Sequence, residues 1–140
     1  MKVSTRGDYA ARALLSLALH GSDRPTSVKE IAERTTLPQP YLEQILLALK
    51  GAGLVRSKRG VGGGYVLARP PDEIDLAEIL AAVEGPPSTL LGPHDHCEGH
   101  CVLQEVWVKL SDETRAVLSR HTLADLVEGT RIGHPDAARR

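Results

Sequence analysis

The sequence predicts a mostly α-helical fold that carries a small β-wing and a long C-terminal helix. Three observations predict it: apolar residues recur at helical spacing in the N-terminal part, a Gly-rich hairpin follows, and charge divides between the two halves of the chain. Residues 1–69 hold 11 Lys and Arg against 5 Asp and Glu, whereas residues 70–140 hold 6 against 13. The basic half indicates nucleic acid as a partner. The acidic half indicates a function other than binding nucleic acid.

Three helices are predicted before the hairpin. Apolar residues at 10, 13, 14, 17 and 18 repeat with the i, i+3, i+4, i+7 spacing of an amphipathic helix. Ser27 can cap the second helix, because Glu30 stands three residues later in the spacing of a capping box. The predicted spans are Asp8–His20, Val28–Arg34 and Gln39–Ala52, with a turn over Thr35–Pro38.

The hydrophobic period becomes alternating after the third helix. Leu54–Lys58 alternates apolar and polar residues as a strand does, Gly60–Gly64 supplies a turn, and Tyr65–Ala68 is the return strand. The glycines allow the tip of this hairpin to approach another surface closely. Helix, helix, turn, helix and then a two-stranded wing is the order of a winged helix-turn-helix.

The acidic half predicts a loop between two helical parts. Thr122 and Asp125 have the spacing of a cap ahead of the last helix. The predicted helices are Leu76–Glu84, Val102 to about His121, and Leu123–Val127. The predicted parts are a winged helix-turn-helix domain over 1–85, a Cys/His sensor loop over 86–101, the long and last helices over 102–129, and a flexible tail over 130–140.

Seven side chains are candidates for DNA contact. The third helix would lie in the major groove, where Gln can pair with adenine and Glu can accept from cytosine. The wing charges, with Arg69 beyond them, would meet phosphates or enter a minor groove. The candidates are Gln39, Tyr41, Glu43 and Gln44 on the helix, and Arg56, Lys58 and Arg59 on the wing. A solvated basic surface is the alternative; a phosphate-cradling loop is disfavoured because a strand follows the glycines.

Composition argues against several classes of protein. No stretch is long and apolar enough for a membrane span, and the N-terminus lacks the apolar segment of a signal peptide. We therefore expect a cytoplasmic protein, in which two cysteines serve as ligands or redox sensors. A zinc enzyme would need an open metal position and a general base, for which Glu98 is the nearby candidate. We do not expect an enzyme, and an interaction adaptor without DNA contact is the remaining alternative.

Several segments resemble the Rrf-type transcriptional regulators. They are Met1–Ala10, Tyr41–Ile45, Gly53–Val55 and Arg59–Tyr65, of which the last is the most specific. The resemblance covers the chain from Met1 to about Val127. It implies a homodimeric winged-helix repressor or activator on double-stranded DNA, with the long helix as its dimerisation helix. It also implies roles in DNA recognition for Glu43 and Arg59.

The loop before the long helix holds two cysteines and three histidines within residues 94–101. Relatives that bind a [2Fe–2S] or [4Fe–4S] cluster usually have three cysteines here, of which Cys101 matches the last and Cys97 the middle one. Gln104 stands where some relatives have a His ligand, and Asp8 matches a position from which some supply a carboxylate across the dimer. The candidate ligands are Cys97, Cys101, His94, His96, His100 and Asp8.

Three chemistries are open for this loop. An iron–sulfur cluster, [2Fe–2S] by expectation, could bind through both cysteines and other ligands, because His can replace Cys on iron. A Cys-x3-Cys pair can instead close a disulfide and act as a thiol switch. Two thiolates with imidazoles could also hold Zn²⁺, and an inert loop is the fourth alternative. The predicted function is a DNA-binding regulator that senses redox state, nitric oxide or iron–sulfur status through Cys97 and Cys101.

Overall fold

The computed structural model describes residues 3–20, 24–85 and 98–133, and it confirms a mostly helical fold with a two-stranded wing. The elements are α1 (Thr5–Leu19), α2 (Val28–Thr35), α3 (Gln39–Gly51), β1 (Val55–Lys58), β2 (Gly64–Leu67), α4 (Leu76–Glu84), α5 (His100–Ser119) and α6 (Leu123–Ile132). A turn of 3-10 helix over Pro71–Glu73 joins the wing to α4. None of the described helices combines the length and apolarity that a bilayer span requires.

The hydrophobic core lies among α1, α3 and α4, and the start of α6 packs against it. The apolar residues predicted at helical spacing are buried there: Leu14, Ile45 and Leu49 are fully inaccessible to solvent. Each such side chain stabilises the fold by roughly 1.5–3 kcal/mol relative to its exposed state. Gly7 lets α4 approach α1, because a Cβ at this position would lie 2.5 Å from the Leu80 Cδ2 atom.

Side-chain caps explain where the N-terminal helices begin. The Ser4 hydroxyl accepts a hydrogen bond of 2.9 Å from the Gly7 N–H, so α1 begins at Thr5 and not at Asp8 as predicted. The Ser27 hydroxyl accepts from the Glu30 N–H at 3.1 Å, which confirms the predicted cap of α2. Capping matters because the first N–H groups of a helix have no partner within it.

The last helix begins where predicted but extends further. Thr122 and Asp125 form the reciprocal capping box ahead of α6. The helix continues to Ile132, so residues 130–132 of the predicted flexible tail are helical; residues 134–140 of that tail lie outside the described residues. A single glycine costs a helix only about 1 kcal/mol, so Gly129 does not end it. The helix ends at Gly133, whose φ of +85° leaves the helical region.

The junction between α5 and α6 is tied to the N-terminal end of α4 by an antiparallel β-bridge between Asp75 and Thr122. The Leu76 N–H donates to the His121 carbonyl at 2.9 Å, and the Leu123 N–H donates to the Ile74 carbonyl at the same distance. This pair of hydrogen bonds fixes the end of the long helix to the winged domain.

Candidate DNA-binding surface and cysteine loop

One face of α3 is exposed along its length, opposite the face that forms the core. Gln39, Glu43 and Gln44, three of the four helix residues predicted to contact DNA, lie exposed on it. The buried face consists of Leu42, Ile45, Leu46 and Leu49. The exposed face is therefore available to another molecule, whereas the buried face fixes the orientation of the helix.

Tyr41 differs from the other three predicted residues. Its side chain is half-buried, and its ring meets the Tyr9 ring edge-on with 5.6 Å between the ring centroids. Edge-to-face pairs of this geometry add to packing beyond the area that they bury. The structure thus places the Tyr41 ring in the packing between α1 and α3, apart from the exposed set.

The exposed face of α3 also carries an apolar side chain that the sequence analysis did not select. Leu47 lies one turn after Glu43 and is 61 % exposed. Pro40, Glu43, Gln44 and Leu47 follow the i, i+3, i+4, i+7 spacing and so share one face of the helix. The helical spacing places Leu47 on this face from the sequence alone, but the predicted DNA contacts on α3 were side chains that can form hydrogen bonds.

The wing is an antiparallel hairpin in which Val55 pairs with Leu67 and Lys58 pairs with Gly64. Arg56, Lys58 and Arg59 are all exposed, and Arg56 and Lys58 share one face of β1 because side chains alternate along a strand. No ion pair among the described residues involves these three cations. The wing therefore presents exposed positive charge that pairs with no carboxylate of the described residues.

Arg69 differs from these three cations. Its guanidinium pairs with the Glu78 carboxylate of α4 at 2.6 Å, in a partly exposed ion pair that reduces the positive charge available to a phosphate. The pair joins residues of two different elements, so helical and strand periodicities do not predict it, and the phosphate contact of Arg69 stays a prediction.

The wing is also joined to α2 by a backbone connection that the sequence analysis missed. The Thr26 N–H donates to the Tyr65 carbonyl at 3.0 Å, and the Tyr65 N–H donates to the Thr26 carbonyl at 2.8 Å. Gly64 lies directly against this segment: an added Cβ would be 2.7 Å from the Ser27 backbone nitrogen and closer still to the Thr26 carbonyl. The wing is thus held against the start of the helix-turn-helix.

The predicted metal ligands are only partly within the described residues. Cys101 lies in the first turn of α5, is half-buried and is disulfide-bonded. His100 is the first residue of the same helix, whereas His94, His96 and Cys97 lie outside the described residues. Across the described residues, no group of three His, Cys, Asp or Glu side chains converges as a metal site.

Asp8 and Gln104 complete the predicted neighbourhood of the cysteines. The Asp8 carboxylate pairs with the Arg12 guanidinium one turn further along α1, at 2.9 Å. Gln104 follows Cys101 by one turn of α5 and lines an open groove of about 610 Å³ along this side of the helix. The other residues that line the groove are Glu105, Val108, Lys109, Asp112, Glu113 and Ala116. The groove thus runs along one face of α5 from the cysteine and is bordered by charged side chains.

Comparison with known proteins agrees with this architecture. CymR of Bacillus subtilis, an HTH-type transcriptional regulator, is 39% identical over 130 residues, which cover 93% of this chain and 92% of CymR. The solved structure of T. potens IscR superimposes with a TM-score of 0.75 at 41% identity, covering 91% of this chain and 87% of that one. The oxidized form of Staphylococcus aureus CymR has a TM-score of 0.72 at 36% identity, covering 92% and 98%.

A family model describes almost the whole of the chain. The model of the Rrf2 family, described as iron-dependent transcriptional regulators, matches residues 3–129. Its members and the relatives above regulate transcription and are not enzymes, in agreement with the sequence analysis. The chain therefore belongs to the Rrf2 family of DNA-binding transcriptional regulators.

Proposed function

We propose that this regulator binds its operator as a homodimer, with α3 in the major groove and the wing on the DNA backbone. The observation that carries the proposal is the juxtaposition of an exposed α3 face with a wing whose three cations are exposed. Glu43 and Gln44 would contact base edges, whereas Arg56, Lys58 and Arg59 would contact phosphates. The two groups of residues have different tasks, since base contacts specify a sequence and phosphate contacts hold the protein in register.

The wing charges set an expectation for the salt dependence of binding. If each wing cation of a dimer neutralises one phosphate, six phosphates lose their counterions, and log Kd should change with log salt concentration with a slope of about 5. Removing Arg59 from both protomers should reduce that slope by roughly 2 and weaken binding to all sequences alike. Arg131→Ala on α6 is the matched control, because Arg131 is also exposed but belongs to another face of the fold.

The measurement is the affinity for a duplex selected from a random library, taken by fluorescence anisotropy at several salt concentrations. A wild-type protein that binds no duplex, or a slope that Arg59→Ala leaves unchanged, would refute the proposed role of the wing. Glu43→Ala should instead reduce discrimination between related sequences, because a lost base contact costs about 1–3 kcal/mol of specificity.

Helix α5 supports the homodimer. None of its residues 101–119 is among the buried core, and it exposes a row of large apolar side chains. Val102, Val106, Leu110 and Val117 are 42–66 % exposed. Contiguous apolar surface of this kind is characteristic of protein interfaces. We assign a second copy of α5 as its partner, which would place two α3 helices at half-sites about one DNA turn apart.

We place the sensing step at the N-terminal end of α5. Cys101 lies in the first turn, and the other end of the helix is bridged to α4 about 30 Å away. A change at the cysteines would tilt α5 about this fixed end, and α4 packs directly against α1 and α3. The tilt would change the separation of the two recognition helices, and thereby the affinity for the operator.

A thiol switch is the chemistry that the described residues favour. Cys101 is disulfide-bonded, and a relative of the same family has been solved in an oxidized form. A peroxide could oxidise Cys97 and Cys101: one thiolate attacks the peroxide and releases an alcohol or water, and the second thiol displaces water from the sulfenic acid to form the disulfide. Reduction by a dithiol would return both thiols.

An iron–sulfur cluster is the second candidate, supported by the similarity to T. potens IscR and by the iron-dependent description of the family. The described residues do not fit it by themselves: Asp8 is paired with Arg12, and Gln104 supplies an amide where some relatives have an imidazole. A cluster would need ligands from His94, His96, Cys97 or His100 in addition to Cys101. Zinc held by the same side chains is the remaining alternative.

Metal content and operator affinity separate these chemistries. Anaerobically purified protein would be analysed for visible absorption, iron and zinc, and then titrated with the operator before and after peroxide treatment. The thiol switch predicts a colourless, metal-free protein whose affinity changes on oxidation and recovers with a dithiol. Cys97→Ser/Cys101→Ser should bind identically under both conditions. A brown, iron-containing protein would select the cluster, and bound zinc would select the zinc site.

A further inference from the structure

Exposed apolar side chains in the winged domain are few, and they lie on the two elements assigned to DNA. Within the described residues up to 85, the large hydrophobic side chains that are exposed are Val3 near the N-terminus, Leu47 on α3 and Val61 at the tip of the wing. Helices α1, α2 and α4 expose none in their described parts. Apart from Val3, the exposed large apolar side chains of this part of the chain therefore lie where the DNA would lie.

Leu47 occupies a position on α3 that can reach base edges. It shares a face with Pro40, Glu43 and Gln44, and the i, i+3, i+4, i+7 spacing is the one by which a single helix presents side chains to successive bases in a major groove. Its neighbour Lys50, also exposed, lies one turn closer to the wing along α3. An apolar side chain thus lies among polar and basic ones on a surface that would face DNA.

We propose that Leu47 contacts the 5-methyl group of a thymine and so determines specificity at one base pair of each half-site. The thymine methyl is the apolar group that the major groove displays, and apolar side chains read it by van der Waals contact. Glu43 and Gln44 would read hydrogen-bonding patterns, whereas Leu47 would distinguish thymine from cytosine and uracil. This inference rests on the proposed placement of α3 in the major groove.

Replacing thymine by uracil tests the contact because it removes only the methyl group. Each thymine of the selected operator would be replaced in turn in both half-sites, and the affinity would be measured by fluorescence anisotropy at one salt concentration. For the wild type, one replacement should weaken binding by about fourfold per half-site, the effect of removing one buried methyl group. Leu47→Ala should bind the thymine and uracil operators equally, and its exposed position means that the fold is retained.

Ile132→Ala is the matched control. Ile132 is an exposed apolar residue on α6, an element not assigned to DNA, so this variant should keep the thymine preference of the wild type. Two results would overturn the inference while leaving DNA binding intact. One is a wild-type affinity that no uracil replacement changes, and the other is a Leu47→Ala variant that keeps the thymine preference. A wild type that binds no duplex would instead overturn the proposed function. Sedimentation should show the same oligomer for Leu47→Ala and wild type; a dissociated variant would assign Leu47 to a protein interface.

Discussion

Replacing Gly64 by alanine should detach the wing from α2. Gly64 has a φ of +152°, and the space where a Cβ would lie is occupied by the backbone of Thr26 and Ser27. A flexible side chain could move aside, but here the obstructing atoms are the Thr26 carbonyl, which accepts from the Tyr65 N–H, and the adjacent Ser27 backbone nitrogen. The methyl group must therefore displace the segment that begins α2.

The size of the effect follows from the contacts that the substitution disturbs. The two hydrogen bonds between Thr26 and Tyr65 contribute about 1 kcal/mol each. A residue with a Cβ in a backbone region that favours glycine costs roughly 1–3 kcal/mol more. We therefore expect Gly64→Ala to lower the free energy of unfolding by about 3–5 kcal/mol, a large fraction of the stability of an ordinary domain.

Thermal unfolding followed by circular dichroism measures this effect at one fixed protein concentration, because dimer stability depends on concentration. The melting temperature of Gly64→Ala should fall by roughly 10–20 °C, and its operator affinity should fall as the wing loses its position. Gly51→Ala is the control, since a Cβ there meets no atom within 4 Å and alanine favours the helix. A Gly64→Ala protein that melts within about 3 °C of the wild type would refute the reasoning.

Three further predictions concern the C-terminal half. Leu110→Glu should dissociate the proposed dimer, because it places a charge in the row of exposed apolar side chains on α5. Arg115→Ala should leave the dimer intact, and sedimentation measures the difference. Thr122→Ala should cost about 1 kcal/mol through loss of the α6 cap, measured by urea unfolding. Hydrogen bonds with Thr122, first through its backbone N–H and then through its hydroxyl, lower the pKa of Asp125. The stabilisation that the ionised Asp125 carboxylate supplies is therefore present above about pH 4 and is lost as pH falls through the lowered pKa. The melting temperatures of wild type and Asp125→Asn should therefore converge in acid.

Local patterns account for the elements that the sequence predicted well. Helix α4 has the predicted bounds because an Asp75 cap begins it and Gly85 ends it. The wing lies within one residue of its predicted strands at each end, because alternation and a Gly-rich turn are both short-range signals. The exposed face of α3 was predictable for the same reason, since apolar residues at helical spacing identify the opposite face.

Contacts between distant residues account for what the sequence did not predict. The bridge between Thr26 and Tyr65 joins positions far apart in the chain, and no periodicity marks it. The Arg69–Glu78 pair likewise depends on the approach of α4 to the end of β2. The chemistry of the cysteine loop does not follow from its residue types, because the same side chains can hold a cluster, form a disulfide or bind zinc. Geometry and metal analysis choose among these three.

The ion pairs of the basic half show which of its positive charges lie beside a carboxylate. Arg12, Arg34 and Arg69 each lie beside a carboxylate, and exposed pairs of this kind contribute at most about 1 kcal/mol to stability. Each pair reduces the positive charge of the face on which it lies. Among the described residues, the three cations of the wing have no such partner. Net charge therefore does not show where positive charge is available on this chain, because the pairing of side chains, and not composition, decides where the charge acts.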